Sequence, residues 1–153
     1  MRSEPAKELW PRGRKGWSVR AYRPSDHDRV VRLWKASGIH VGPSDSVGEL
    51  ERSRRRDPDL FLVAHREGRL VGVVLGRFDG RRGWIHHLAV ASDHRGLGLG
   101  RDLVMRVERG LLRKGCAKVN LHIEPDNHRV STFYSRLGYR SRDLLFMEKW
   151  IRT

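Results

Sequence analysis

A chain of 153 residues, 38% of them hydrophobic and spread in short periodic runs, suits one folded domain around one core. It has no run near the roughly 18 apolar residues of a membrane helix, no signal-peptide stretch in its opening MRSEPAKELWPRGRKGW, and a single cysteine, Cys116, which excludes an intrachain disulfide and supports no zinc site; a cytoplasmic protein is expected. Thirty-two Lys and Arg against 18 Asp and Glu give a formal net charge of +14, compatible with nucleic acid, acidic protein or a phosphorylated cofactor as partner, and equally with an Arg-rich solvated surface.

Residues 1–16 are polar, basic and broken by Pro5, Pro11, Gly13 and Gly16, so a loose tail is expected there and a single folded domain over 17–153. WSVRAY, from Trp17, alternates like a strand. Pro24 and Ser25 stop it, and Ser25 with Asp28 three residues on reads as a helix start. Val30, Leu33 and Trp34 follow at helical spacing, with Trp34 in the core, until Gly38. A second helix is expected over Ser46 to Arg56, with Val47 and Leu50 inward, ending in the basic run RSRRRDP. Three strands follow: LFLVAHR from Leu60, LVGVVLGRF from Leu70 and WIHHLAV from Trp84, joined by glycine-centred turns that read as hairpins. RGLGLG then opens a helix over Gly98 to Lys114 whose apolar stripe is Leu103, Val104, Val107 and Leu111, capped by Gly115. AKVNLHI is a further strand, Asp126 or Asn127 caps a short helix to Leu137, and Tyr139 to Ile151 is expected to give one or two last strands. An antiparallel front half thus leads into a strand–helix–strand unit, the usual source of a parallel pair.

The segment Arg95-Gly96-Leu97-Gly98-Leu99-Gly100, followed by Arg101, lies between a strand and a helix. The first N–H groups of a helix have no intrahelical partner, the macrodipole adds positive character there, and glycines let a phosphate approach the backbone. Arg95 and Arg101 can pair with phosphate oxygens. The dinucleotide pattern G-x-G-x-x-G fails, because Arg101 and Leu103 stand where a third glycine would fall, and the Gly-Lys-Ser/Thr of a P-loop is missing. Arg95, Gly98 and Gly100 instead satisfy R/Q-x-x-G-x-G/A, the pyrophosphate signature of the GNAT superfamily of N-acetyltransferases, which the chain resembles from about residue 17 to 151. FLVAHREGRLVGVVLGRFDGRRGW is similar to small bacterial YpeA-like members, and Leu137-Gly138-Tyr139 resembles the family's usual helix end.

That resemblance implies an α/β (α+β) fold with a mixed sheet of about six to seven strands, splayed between strands 4 and 5 and flanked by four helices. It implies acetyl-CoA as cosubstrate without metal, its arm held along Leu88, Ala89 and Val90 and by Asn127, and direct acetyl transfer to a primary amine. Leu88 and Val90 share a strand face by alternation, and Asn127 and Tyr134, seven apart, face one way on a single helix. A lysine amine is protonated near pH 7, so a base is required. His86 is preferred: it shares a face with Leu88 in the absence of a bulge, while His87 points away. Glu124 and a water chain are the alternatives. Tyr134 is placed to protonate the leaving thiolate. Cys116 reads as a small buried hydrophobe, and Asn120 and His122 as a polar strand face. The eight histidines show no metal-ligand spacing. A CoA- or nucleic-acid-binding module without catalysis, or acetylation of a nucleic-acid-linked amine, would also use the basic surface, although no helix-turn-helix, RNA-recognition or zinc-finger pattern is evident. The sequence leaves the acceptor open, and with it the choice between monomer and homodimer.

Overall fold

The computed structural model describes residues 16–152; of the basic N-terminal segment only Gly16 falls within them. The chain divides into two compact units, Met1–His122 and Ile123–Thr153.

The first unit is a five-stranded sheet in the order β1-β2-β3-β4-β5: β1 Ser18–Ala21, β2 Phe61–Arg66, β3 Arg69–Phe78, β4 Gly83–Val90 and β5 Val119–Leu121. The β1–β4 pairings are antiparallel and β4 with β5 is parallel. Three helices flank it: α1 His27–Ala36, α2 Val47–Arg56 and α3 Leu99–Arg113. These elements follow the sequence pattern closely. Glu67 and Gly68, both at positive φ, make the tight β2–β3 turn. Ser46 caps α2 by accepting from the Glu49 N–H at 3.3 Å.

One sheet face carries α1 and α2. There Tyr22, Val30, Trp34, Leu50, Phe61, Val73 and Ala89 belong to one buried cluster, with Tyr22 stacked on Phe61 at 4.0 Å between ring centroids. The other face carries α3, whose stripe Leu103, Val104, Val107 and Leu111 is buried as expected. The helix lies close because the sheet offers glycines beneath it. A Cβ on Gly76 would sit 2.6 Å from Val107, and one on Gly83 2.5 Å from Leu111. Cys116 is buried, its Sγ 3.3 Å from the Lys118 carbonyl.

The helix start expected at Ser25 is instead a 3-10 turn over Pro24–Asp26 that runs into α1. Asp26 is its fully buried pivot, taking both terminal nitrogens of Arg20 at 2.7 Å, Arg29 at 2.7 Å and the Arg23 N–H at 2.9 Å. Burial opposes the Asp26 charge, but these donors outweigh it and hold the carboxyl below its usual range. Val47, expected inward on α2, is half exposed; Leu50 and Ser53 carry the buried side.

The second unit contains a 3-10 turn, Pro125–Asn127, and α4, Val130–Arg136, which Gly138 at φ 93° ends. Asn127 and Tyr134 are therefore on two successive elements, not one helix, and the two-turn spacing between them does not define a shared face. No strand forms between Tyr139 and Ile151 among the described residues, so the sheet has five strands where six to seven were expected. Leu144, Leu145, Met147 and Ile151 are exposed.

Candidate functional site

The site is built on β4 and the loop that joins it to α3. β5 pairs with β4 only at Gly83, Trp84 and Ile85. From His86 to Val90 the β5-facing edge of β4 has no strand partner among the described residues. Apart from the His87 and Val90 carbonyls, which accept from side chains, its backbone groups have no strand to pair with, the kind of edge to which an extended amide-bearing chain can add. This edge leads through Ala91 and a 3-10 turn, Ser92–His94, into the glycine loop. The turn is braced: Asp93 binds Arg69 of β3 at 2.6 Å and the His94 ring at 2.9 Å, and these partners hold its carboxyl down at about 2.

Two loop glycines are required by the backbone. Gly96 has φ 75°, and Gly98, the N-cap of α3, has φ 90°, conformations in which a side chain is strained. Gly100 already lies in the helix. The Arg95 Nε donates to the Val90 carbonyl at 3.0 Å, tying the loop to the end of β4. Arg95, Gly96, Leu97 and Arg101 are exposed and Leu99 is buried. The turn thus presents the first N–H groups of a 15-residue helix beside two guanidinium groups, a site for a polyanion.

β4 is not a regular strand. His86 pairs with Leu75 but Ala89 pairs with Val73, so His87 and Leu88 together oppose Val74 alone. This β-bulge has His87 at φ 47°, and it overturns two expectations. Ala89 packs in the α1/α2 cluster, so alternation turns Leu88 and Val90 to the α3 face. Leu88 consequently does not share a face with His86, which stands with Trp84 on the α1/α2 side. His87 does not point away from His86 but lies on the same side: its ring meets Trp34 edge-on at 4.9 Å and its Nε2 is 3.1 Å from Asp45 Oδ1.

Sequence reasoning missed the network that fixes this bulge. The Trp34 indole N–H donates to the His87 carbonyl at 2.8 Å. Asp45, buried in the turn before α2, also accepts from the Gly42 N–H at 3.0 Å, and its carbonyl accepts from His27 at 2.9 Å. Burial pushes the Asp45 carboxyl up, yet His87 and Gly42 prevail and hold it below its usual range. The available signal was the turn sequence Gly42-Pro43-Ser44-Asp45, whose carboxylate folds back on its own backbone.

His86 faces a cavity of about 310 Å³ that it shares with Trp84 and His122, and with Arg56, Arg77 and Asp79 around them. The Trp84 ring lies 6.3 Å from His86, nearly parallel to it, and 5.5 Å from His122. Burial, then the charge of Arg77, pushes the His86 imidazole down to about 4. It is a neutral ring throughout the neutral range. In the second unit Tyr134 is buried, with edge-on contacts to Phe133 at 5.0 Å and Tyr139 at 5.4 Å. Burial raises its phenol well above the ordinary value, which keeps it in the proton-bearing form. Glu124 is exposed at the head of the Pro125–Asn127 turn.

Residues 27–139 match the family model described as "Acetyltransferase (GNAT) family". The chain is 36% identical over 129 residues to an acetyltransferase of Sodalis glossinidius, covering 84% of this chain and 91% of that protein. To one of Pectobacterium atrosepticum it is 37% identical over 131 residues, covering 86% and 93%. Among solved structures it is similar to Ard1 from Thermoplasma volcanium, with a TM-score of 0.71 at 22% identity over 80% of this chain and 82% of that one. It is also similar to PaiA N-acetyltransferase from Thermoplasma acidophilum, determined in complex with coenzyme A, with a TM-score of 0.71 at 18% identity over 84% and 92%. At these identities the two structures speak to the fold.

Proposed function

The chain belongs to the GNAT acetyltransferase family and is an acyl-CoA-dependent N-acetyltransferase; from that premise we propose that it is a cytoplasmic enzyme that passes the acetyl group of acetyl-CoA directly to a primary amine held on the α1/α2 side of β4. The observation that carries this reading is the continuity of the open β4 edge with the glycine loop at the start of α3. In it, the backbone of Leu88, Ala89 and Val90 holds the pantetheine arm and thioester, and Arg95 to Arg101 hold the pyrophosphate. A β4 N–H aimed at the thioester carbonyl would stabilise the oxyanion of the tetrahedral intermediate. Asn127 and Tyr134 are the further residues proposed for contact with the cofactor.

The amine nitrogen attacks the thioester carbon, its surplus proton leaves to a base, and the C–S bond breaks. His86 is the proposed base, being neutral and at the cavity wall, with Glu124 or a water chain as substitutes. Its low basicity suits an amine that arrives already deprotonated in part, since a base far weaker than the group it serves takes a proton only as the N–C bond forms. Tyr134 returns a proton to the CoA thiolate, so that amine and acetyl-CoA give the acetamide and CoA thiol. No described group of His, Cys, Asp and Glu gathers as a metal site, and the proposed steps use none.

Gly98→Glu tests the cofactor half. It adds a carboxylate at the pyrophosphate position and a Cβ at φ 90°. Acetyl-CoA affinity is expected to fall by more than about a hundredfold from a micromolar value, measured by calorimetry, with the circular dichroism unchanged. Affinity within about threefold of the parent would remove the loop from the cofactor site.

A further inference from the structure

The cavity on the α1/α2 side of β4 has a chemistry that the cofactor does not use. Asp79 is the one carboxylate among the residues lining it, and it is committed to its own turn. Its Oδ1 accepts the N–H groups of Arg81 at 2.8 Å and Arg82 at 2.6 Å, and its Oδ2 accepts the Trp84 indole N–H at 3.1 Å. An incoming ammonium group would have to compete with three donors. The positive side is differently placed. Arg56 donates to the Phe78 carbonyl at 2.9 Å. Arg77 is exposed and makes no ion pair among the described residues, unlike Arg20, Arg54 and Arg69. Beside Arg77, its direct cross-strand partner Trp84 makes the lining flat and aromatic. The Trp84 indole is pinned by Asp79 and flanked by His86 and His122, a surface pre-organised for a planar apolar body.

Resting on the acetyltransferase reading, we propose that the acceptor is a small amine that also bears a carboxylate and a planar apolar group, as an aromatic α-amino acid does: the carboxylate pairs with Arg77, the ring lies on Trp84 and the amine reaches the His86 end of the cavity. The size of the cavity suits such a molecule. A guanidinium offers a carboxylate two parallel donors, which gives orientation as well as attraction. An α-amino group, with an ordinary pKa near 8, is partly neutral at physiological pH, in keeping with a weakly basic His86. A carboxylate beside Arg77 would also offset part of the positive field on His86, raising its basicity when the acceptor is bound.

The test compares three products that share a ring and differ at the carboxylate. The full chain is saturated with CoA and titrated calorimetrically with N-acetyl-L-phenylalanine, N-acetylphenylalaninamide and N-acetylphenethylamine. The acid is expected to bind at least about tenfold more tightly than either neutral compound. Arg77→Gln should reduce that preference to within about twofold while CoA affinity is kept, and Arg77→Lys should restore part of it. Trp84→Leu should weaken all three with the preference retained. Acetylation of phenylalanine, phenylalaninamide and phenethylamine is to show the same order in kcat/KM. Equal binding of the three compounds, binding of none, or a preference that survives Arg77→Gln overturns the proposal. Tighter binding of the amide would indicate a peptide amino terminus and overturn it as well. Failure of the parent chain to bind CoA at all would instead count against the acetyltransferase reading.

Discussion

At His87 a residue with a Cβ is held at φ 47°, a conformation that costs on the order of 1 kcal/mol or more outside glycine. Trp34 and Asp45 hold it there, 53 and 42 residues away in sequence. That distance explains why the sequence singled out His86 as a candidate but misjudged the faces of its neighbours His87 and Leu88. A period-two reading of WIHHLAV assumes a regular strand, and the bulge depends on partners no local window contains. Once placed, His86 has a measurable signature. Burial and Arg77 push its pKa down to about 4, whereas the unfolded chain titrates near 6.5. Between those values the unfolded state binds more protons, so stability is full above pH 6.5 and is lost as pH falls toward 4. His86→Gln removes this component. Urea unfolding at pH 7 and pH 5 should show a fall in stability for the parent that exceeds that of His86→Gln by at most about 2 kcal/mol. Parallel losses in the two proteins would mean that His86 is not desolvated in solution.

The elements were legible in proportion to how local their causes are. The α3 stripe and the glycine that opens it follow from a 3.6-residue period and from N-terminal chemistry, and both are found where expected. The last strands were not. A strand exists only against an edge that takes up its backbone groups, and DLLFMEKW has the composition of a strand without supplying such an edge. The tight seat of α3 on the sheet was also invisible, because a glycine inside LVGVVLGRF signals a close approach without naming the neighbour. Gly76 shows what that seat requires: an added Cβ would lie 2.6 Å from Val107 Cγ1 and 2.9 Å from the Leu60 carbonyl. Gly76→Ala should therefore destabilise the chain by about 1–3 kcal/mol, the usual range for overpacking. The same change at Gly42, where a Cβ meets nothing within 4 Å and φ is −136°, is the control free of both overpacking and left-handed strain. If chemical denaturation gives the two variants equal losses, the close approach of α3 is not the cause.

Across the whole molecule the +14 charge is less available than the count suggests. In α2 the basic run that ends the helix is laced internally. Arg54 forks onto Glu51 at 2.7 and 2.6 Å, Arg55 shares Glu51 at 3.0 Å, and Arg52 reaches Glu49 at 3.4 Å. Such exposed pairs add little stability, but they reduce the field that a nucleic acid would meet. Binding to a duplex, monitored by fluorescence anisotropy, should be sequence-blind and lost by about 150 mM salt; retention of submicromolar affinity at that salt would make nucleic acid a true ligand. The sheet also implies an order of events in time. Its strands lie side by side in chain order, yet the separations between partners are unequal. β2, β3 and β4 are joined by turns of a few residues, whereas β1 reaches β2 across two helices and β5 reaches β4 only after α3. Closing a short loop costs less entropy than closing a long one, so the three-stranded meander is the natural early structure, with β5 docking last. Native-state hydrogen exchange in rising urea should then find the amides of β2 to β4 opening only with global unfolding and those of Val119 to Leu121 opening well before it. The strand whose departure from β4 defines the site would be the last to arrive and the first to leave.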